Sequence, residues 1–424
     1  MKNTRWIKSA TIIISSILIC IMIIAGCVKT PEENTIDAVA DDSVDSSNVS
    51  DNLTEDASES VEEKSYPVVD SVTIVEADYM SYNAIEYEVA YTPIKGIYLS
   101  GYTAGTETSR DSMIEFADTT EINAFVIDVK NDDGFILFDT DIAVADEIGS
   151  ERGHMRDITA VMDDLYAHDI YPIARIVAFK DPYLSSKLTD YAIKNQDGSL
   201  FKYHGVSWMN PYSMDAWIYI VDIAKAAAEA GFKEVQFDYI RFEATSSLNN
   251  ADFGDIDPDV TRKDIIVSFL EYASTELAPY DIKISADVFG TIITSEVDAR
   301  TIGQDYYRMS EYLDVICPMV YPSHYAKGSY GTAYPDKEPY TIIYGSMTDS
   351  NEVLGDLVTN EDIIVRPWLQ AFTASYLKTP NYMVYDGDAI RAQIQATYDA
   401  GLEEWILWKA SNTYSTGGLL GPEE

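Results

Sequence analysis

Cysteine and histidine are scarce in this sequence. Three cysteines and four histidines occur among 424 residues, and no two cysteines have the C-x-x-C spacing. Three cysteines can form one disulfide at most, which excludes a disulfide-stabilised scaffold. The histidines are scattered, so a Cys/His zinc site is not supported. We therefore expect neither a metal nor an organic cofactor.

Positive charge is scarce as well. The chain has 29 basic and 71 acidic residues, for a formal net charge of −42. Such a chain repels phosphate groups, which excludes a general nucleic-acid binder. Apolar residues make up 46% of the chain and 31 residues are tyrosine, so there is ample material for a folded core. The length predicts one large domain or two medium ones.

The first 27 residues have the pattern of a bacterial secretion signal. Three basic residues precede an apolar run over residues 10–25, which is shorter than the ~20 residues that a membrane-spanning helix needs. The run ends in IAGC at residues 24–27, which looks like a lipobox with Cys27 as the residue that receives lipid. We predict a lipid-anchored protein on the extracellular side of the cell membrane. An uncleaved anchor, the alternative, would place the chain on the same side.

Residues 28–65 have the composition of a disordered acidic linker. Between Pro31 and Glu63 there are 12 acidic residues and no basic or aromatic ones. Such a segment cannot bury enough apolar surface to offset the entropy lost on ordering, and its like charges extend it. Residues 66–94 are β-prone and tyrosine-rich, and we interpret them as an N-terminal extension. The globular domain then spans residues 95–424.

Short β-prone runs alternate with amphipathic helical stretches from residue 95 onward. Helical periodicity is clearest over residues 215–230, 260–278 and 387–400. This alternation predicts parallel strands with helical crossovers, and eight strands predict a (β/α)8 TIM barrel. An open doubly wound sheet is the alternative, but its Gly-rich phosphate loop is missing after the first strand. The eight predicted strands are residues 95–102, 124–131, 171–179, 234–242, 283–290, 314–321, 364–372 and 404–410.

Two segments depart from a regular barrel. Only 14 residues follow the eighth predicted strand, and several are glycine, so a full final helix is not expected. A short turn, or the 66–94 extension, is expected to cover that gap. Residues 323–345 are dense in Tyr, Gly and Pro, which indicates a long loop that rims a cleft after the sixth strand.

Polar residues fall on the predicted strands near their carboxyl-terminal ends, where barrel enzymes have their active sites. Side chains of a strand alternate between its faces, so Arg366, Trp368 and Gln370 share one face. Buried charges are costly unless they are paired or take part in function. Aromatic side chains pack on the apolar faces of sugar rings. A structural ion pair or core packing remains the alternative for any single residue. The predicted substrate-binding residues are Asp128, Lys130, Arg175, Arg241, Glu243, Tyr321, Arg366, Trp368, Gln370 and Trp408.

Asp238 and Asp287, on the fourth and fifth predicted strands, are the predicted catalytic pair. Cleavage of a glycosidic bond needs one protonated carboxyl group and one ionised carboxylate. Arg241 is close to Asp238 in the sequence, and a guanidinium favours the ionised form. We therefore assign Asp238 as nucleophile or base and Asp287 as acid, with Glu243 and Asp128 as substitutes.

Five segments carry a family resemblance: KGIYLSGYTAG, NAFVIDVKNDDG, VQFDYIRFE, ISADVFG and CPMVYPSHY. Over residues 93–412 the chain resembles the bacterial glycoside hydrolase-like domain known as domain-of-unknown-function family 4015. The resemblance implies a TIM barrel and sugar-polymer chemistry, and it specifies no substrate. The strand-four aspartate also resembles the nucleophile of α-amylase-like enzymes and falls on Asp238. The corresponding acid falls on Asp287, where those enzymes usually have Glu.

The preferred hypothesis is a secreted, lipid-anchored glycoside hydrolase that acts on a cell-wall or environmental polysaccharide. The alternative is a non-catalytic glycan-binding lipoprotein on the same barrel. A structural envelope lipoprotein is a third possibility, and a metal-dependent deacetylase lacks the His/Asp cluster it would need. Chitinase-type chemistry is not supported, because FDYIRFE does not contain the DxxDxDxE run of those enzymes.

Overall fold

The computed structural model describes residues 91–422. The predicted leader with Cys27, the acidic linker and residues 66–90 of the extension lie outside the described residues. In the described part, eight parallel strands form one sheet in which each strand pairs with the next along the chain and the last pairs with the first. The strands are β1 (Lys95–Leu99), β2 (Ala124–Lys130), β3 (Tyr171–Val177), β4 (Glu234–Asp238), β5 (Lys283–Phe289), β6 (Val315–Met319), β7 (Ile364–Val365 and Trp368–Gln370) and β8 (Trp405–Trp408).

The seventh strand closes the barrel in two short segments. Its first segment pairs with β6 through Val315 and Ile364, and its second segment pairs with β8 and with Met319 of β6. Pro367 stands between the segments and cannot donate a ladder hydrogen bond, which explains the interruption. The closed sheet confirms the predicted (β/α)8 barrel and excludes the open doubly wound alternative.

Helices cover the outside of the barrel. The helix predicted over 215–230 begins after Ser213, whose side chain accepts a hydrogen bond from Ala216 N, and it ends just before Gly231. The helix predicted over 260–278 begins with a capping box between Thr261 and Asp264. Residues 91–422 contain α1 (Gly101–Gly105), α2 (Glu107–Asp118), α3 (Ala143–Ile148), α4 (Ile158–Ala167), α5 (Pro182–Lys187), α6 (Met214–Glu229), α7 (Arg262–Leu277), α8 (Glu296–Ile302), α9 (Tyr306–Ser310), α10 (Pro339–Leu354), α11 (Asp356–Thr359) and α12 (Gly387–Asp399).

The loop after β6 is shorter than the sequence predicted. Turns occupy Pro322–His324, Ser329–Gly331 and Pro335–Lys337, but α10 already begins at Pro339. The loop prediction for residues 339–345 was therefore wrong. Proline suits the first turn of a helix because its missing N–H has no partner there, so its presence did not exclude a helix start.

A short turn stands where the eighth helix of a regular barrel would be. The turn Thr416–Gly418 packs so closely on α12 that a Cβ atom on Gly387 would lie 2.4 Å from the Gly417 backbone. The chain then pairs with the end of α2, where Glu121 N donates to Leu420 O at 2.9 Å. The tail thus spans the gap between α12 and α2, as one of the two sequence alternatives proposed.

The apolar core has two parts, one between the sheet and the helices and one inside the barrel. The inner part includes Val126, Ile173, Cys317 and Ile406, all fully buried. Because side chains fill the inside of a TIM barrel, the interior is a packed core, and ligands bind at the ends of the strands. Within residues 91–422, no helix is long and apolar enough to cross a membrane.

Candidate active site

An arginine on β3 lies between carboxylates of its two neighbouring strands. Arg175 Nη1 donates to Asp128 Oδ1 at 2.6 Å, and its Nε and Nη2 donate to Asp238 Oδ2 at 3.0 and 2.5 Å. The hydroxyl of Tyr98 donates to the other oxygen of Asp128 at 2.6 Å. Burial acts to lower the pKa of Arg175, but Asp238 and Asp128 raise it well above its usual value. The guanidinium therefore stays charged and fixes both carboxylates.

Asp238 is also held by the backbone that follows it. Tyr239 N donates to Asp238 Oδ1 at 2.6 Å, so each carboxylate oxygen accepts from the protein. Tyr239 has a φ of 52°, in the left-handed region that a side chain other than that of glycine rarely adopts. Such a conformation persists only when the surrounding structure enforces it, and it often marks a functional site.

Asp287 lies on the next strand and has a different environment. The β4–β5 register aligns Phe237 with Ala286, so the following residues, Asp238 and Asp287, are neighbours. Trp368 Nε1 donates to Asp287 Oδ1 at 2.6 Å. Desolvation, followed by the negative charge of Asp238, raises the pKa of Asp287 well above its usual value. The pair thus combines a carboxyl group whose pKa is raised by burial with a carboxylate that is paired to a guanidinium.

The carboxylate pair lies in a cavity at the carboxyl-terminal end of the barrel, with a volume of about 250 Å³. A second cavity of about 350 Å³ adjoins it, and both are lined by Phe289, Met319, Tyr321 and His324. The two cavities are therefore adjacent, and together they are called the cleft below. The first cavity is lined by Asp132, Arg175, Asp238, Tyr239, Arg241, Asp287, Phe289, Met319, Tyr321, His324, Trp368, Phe372 and Trp408.

Most of the predicted site residues meet in this cleft. Asp128 lies behind Arg175, and Glu243 Oε1 is 3.9 Å from Arg241 Nη1. Trp368 and Trp408 pack edge to face with ring centroids 5.6 Å apart. The predicted residues that line the first cavity are Asp238, Asp287, Arg175, Arg241, Tyr321, Trp368 and Trp408.

Arg366 does not reach the cleft. Its guanidinium donates to Glu234 Oε1 and to Glu404 Oε2, both at 2.7 Å, and all three side chains are buried. Glu234 begins β4 and Glu404 directly precedes β8, so this ion cluster lies at the amino-terminal end of the barrel. Alternation correctly places Arg366 inside the barrel, but its long side chain extends toward the opposite end.

Lys130 and Gln370 also have partners within the protein instead of facing the cavity. The β2–β3 register shifts between Asp128 and Lys130, which turns the lysine away from the face of Asp128. Lys130 Nζ is 2.9 Å from Asp181 Oδ2, in an ion pair with no exposed surface. Gln370 Nε2 donates to Asp336 Oδ1 at 2.9 Å, and its Oε1 accepts from Ser323 N at 3.1 Å. Gln370 therefore fixes the loop after β6.

Several cavity residues were missed by the sequence reasoning. Asp132 lines the cavity, and Lys180 Nζ lies 3.3 Å from its Oδ1 and 3.4 Å from the hydroxyl of Tyr239. His324 lies where the two cavities meet, and burial lowers its pKa. The NDDG segment after strand two and the PSHY segment after strand six were visible signals, because loops at the carboxyl ends of strands build barrel sites.

The closed parallel barrel defines a TIM-barrel domain, with a carboxylate pair at the carboxyl-terminal end of its strands. The family model described as "Putative glycosyl hydrolase domain" matches residues 96–414, and the chain belongs to this family. This match confirms the family resemblance drawn from the sequence. A comparison with curated proteins finds no match.

Three of the solved structures that are similar to the chain illustrate the range of relatives. A hypothetical protein from Ruminiclostridium thermocellum ATCC 27405 is 37% identical over 45% of this chain and 97% of that one, with a TM-score of 0.41. The PgaB (BpsB) glycoside hydrolase domain from Bordetella bronchiseptica is 12% identical over 75% of this chain and 94% of that one, with a TM-score of 0.54. The β-galactosidase from the psychrophilic Marinomonas ef1 is 11% identical over 74% of this chain and 53% of that one, with a TM-score of 0.50. The last two similarities show the fold.

Proposed function

We propose that this protein is a glycoside hydrolase that cleaves a polysaccharide of the cell wall or the environment. The observation that carries the proposal is the pairing of Asp238, which is bound by a guanidinium, with Asp287, whose pKa is raised by burial. Glycosidic cleavage requires two carboxyl groups in these two states. The family match and the barrel shared with a glycoside hydrolase domain and a β-galactosidase support the same class of chemistry.

In this mechanism Asp287 donates its proton to the leaving glycosidic oxygen while that bond breaks. Asp238 either removes a proton from the water that attacks the anomeric carbon or attacks that carbon itself. In the second case water, deprotonated by Asp287, then cleaves the glycosyl–Asp238 ester and releases the sugar. Arg175 and the N–H of Tyr239 orient the Asp238 carboxylate, and Asp128 in turn orients Arg175. Burial of the pair keeps bulk water away from the developing charges.

The shape of the cleft supports an oligomeric substrate. Trp368, Tyr321 and Trp408 line the cavity beside the carboxylates, and Trp408 is the most exposed of the three. Sugar rings pack on such aromatic side chains. The adjoining cavity continues past the shared residues and offers room for a second ring. A structural lipoprotein in which the charges at the barrel end served only as ion pairs would not require such a cleft.

The test is release of new reducing ends from a panel of bacterial wall and plant polysaccharides. The whole chain is compared with Asp238→Asn and Asp287→Asn variants, and with Asp356→Asn, an exposed aspartate on α11, as matched control. We expect release by the wild type and the control alone. Equal retention of glycan by all four proteins without any release would contradict hydrolysis and favour the glycan-binding alternative.

We also propose that the chain is anchored by lipid at Cys27 on the extracellular side of the membrane. The apolar run followed by IAGC supports this location. In a bacterial host, labelled fatty acid should be incorporated into the wild type and not into a Cys27→Ala variant. Incorporation into both proteins would contradict the assignment of Cys27.

A further inference from the structure

Arg241, which follows β4, carries a charge that the protein compensates poorly. Its side chain is buried and lines the first cavity. Nη1 donates to the carbonyl of Phe242 at 2.9 Å, and it lies 3.9 Å from Glu243 Oε1, beyond hydrogen-bond distance. That Glu243 oxygen instead accepts from Ala244 N at 2.9 Å. The guanidinium fork has five N–H donors, so most of them are left for other partners.

The other buried arginines among residues 91–422 differ from Arg241. Arg175 and Arg366 each bind two carboxylates, and Arg110 binds Asp164. Carboxylates raise the pKa of Arg175 well above its usual value against the effect of burial, whereas desolvation lowers the pKa of Arg241. A buried cation whose nearest carboxylate, that of Glu243, lies beyond hydrogen-bond distance is compensated only in part, so Arg241 is well suited to accept an anion from outside the protein.

Three aromatic rings hold the Arg241 guanidinium in place. Its Cζ lies 4.9 Å from the centroid of Trp208, 5.0 Å from that of Tyr239 and 4.7 Å from that of Phe289. Cation–π contacts fix the position of the group without using its N–H donors. Phe289 lines both cavities, which places Arg241 near the junction of the cleft.

We propose that Arg241 binds a carboxylate on a sugar unit at this junction, so the substrate is an acidic glycan such as a uronic-acid-containing chain. The proposal rests on the proposed glycoside hydrolase function and adds the substrate class. A planar guanidinium fork matches a carboxylate through two parallel hydrogen bonds. Because the chain as a whole has a net charge of −42, recognition depends on this local contact and not on long-range attraction.

The test measures binding to an array of matched oligosaccharides. Uronic-acid oligosaccharides are compared with their methyl esters, with sulfated oligosaccharides and with amino-sugar oligosaccharides. We expect the wild type to prefer the acid over its ester at least tenfold, which corresponds to about 1.4 kcal/mol. Arg241→Gln should abolish this preference, and Arg241→Lys should retain part of it because it keeps the charge without the fork. Arg300→Gln, with a side chain that is 67% exposed on α8, is the control.

The inference is overturned if the wild type binds the methyl ester or the amino-sugar chains as well as the acid. It is also overturned if Arg241→Gln keeps the acid preference, or if sulfated chains are preferred over carboxylated ones. The array measures binding only, so its result does not depend on whether the protein hydrolyses the glycan. Arg241-dependent acid binding without new reducing ends would contradict the proposed hydrolysis and leave the ligand assignment standing.

Discussion

Desolvation and the charge of Asp238 raise the pKa of Asp287, and the indole N–H of Trp368 partly opposes that rise. This N–H donates to Asp287 Oδ1 at 2.6 Å inside the barrel. A hydrogen bond to an ionised carboxylate is worth about 1.5–3 kcal/mol and one between neutral groups about 0.5–1.5 kcal/mol. Trp368→Phe removes the donor and so destabilises the ionised form by about 1.4 kcal/mol more than the protonated form. That difference corresponds to about one pKa unit, so we expect the pKa of Asp287 to rise further by about that amount.

The measurement is a titration of the Asp287 carboxyl band by infrared difference spectroscopy, with the Asp287→Asn variant as the subtraction reference. For a substrate identified by reducing-end release, the alkaline limb of kcat/KM should move upward by the same amount, because the acid stays protonated to higher pH. Trp405→Phe is the matched control, since Trp405 is equally buried and donates to Tyr398 instead.

An Asp287 titration in Trp368→Phe that is unchanged, or displaced to lower pH, would refute the reasoning. So would an equal displacement in the Trp405 control, because the effect would then not depend on the direct hydrogen bond. An alkaline limb that stays in place while the carboxyl band shifts would mean that another group supplies the proton.

Three further predictions concern buried charges. Arg366→Met leaves the buried carboxylates of Glu234 and Glu404 without their cation, so the free energy of unfolding in urea should fall by about 3–5 kcal/mol. Glycan binding should be unchanged, and its loss in the folded variant would contradict a structural role for Arg366. Arg175→Met should lower the free energy of unfolding by a similar amount and abolish turnover. Arg175→Lys should be intermediate in unfolding temperature and in turnover rate. Full activity of Arg175→Met would count against the role of Arg175 in orienting Asp238. The pKa of Asp287 is raised in the folded state, so its protonation stabilises the fold at low pH. This contribution is lost as pH rises from the unfolded-state pKa of about 3.9 toward the folded-state pKa. Asp287→Asn lacks this titration and should gain stability relative to wild type as pH rises above about 4; a stability difference in urea unfolding that stays constant with pH would contradict this.

The strands could be predicted from the sequence because each one combines a β-prone apolar run with polar boundaries. All eight observed strands lie inside the predicted ranges, and the predictions extended too far mainly at the carboxyl ends. There the chain leaves the sheet but keeps a strand-like composition, as in the residues after Asp238, where Tyr239 already has a positive φ. Burial of the following loop residues, such as Ile240, explains why composition did not mark the strand end.

The side-chain partners could be predicted only in part. Alternation gives the face of a strand but not the direction in which a long side chain extends along the barrel axis. Arg366 thus lies inside the barrel but pairs at the opposite end, and a register shift turns Lys130 toward Asp181. The sequence suggested Arg241 as the cation beside Asp238, whereas the close contact is made by Arg175 from the neighbouring strand. Such contacts depend on register between strands, which one sequence does not specify.

The first described residues show at which face the chain enters the barrel. Tyr91 donates to Glu404 and packs against Tyr171, the first residue of β3, so the chain enters the barrel at its amino-terminal face. The cleft opens at the other face. A long glycan can therefore enter the cleft without passing Tyr91 and the residues beside it.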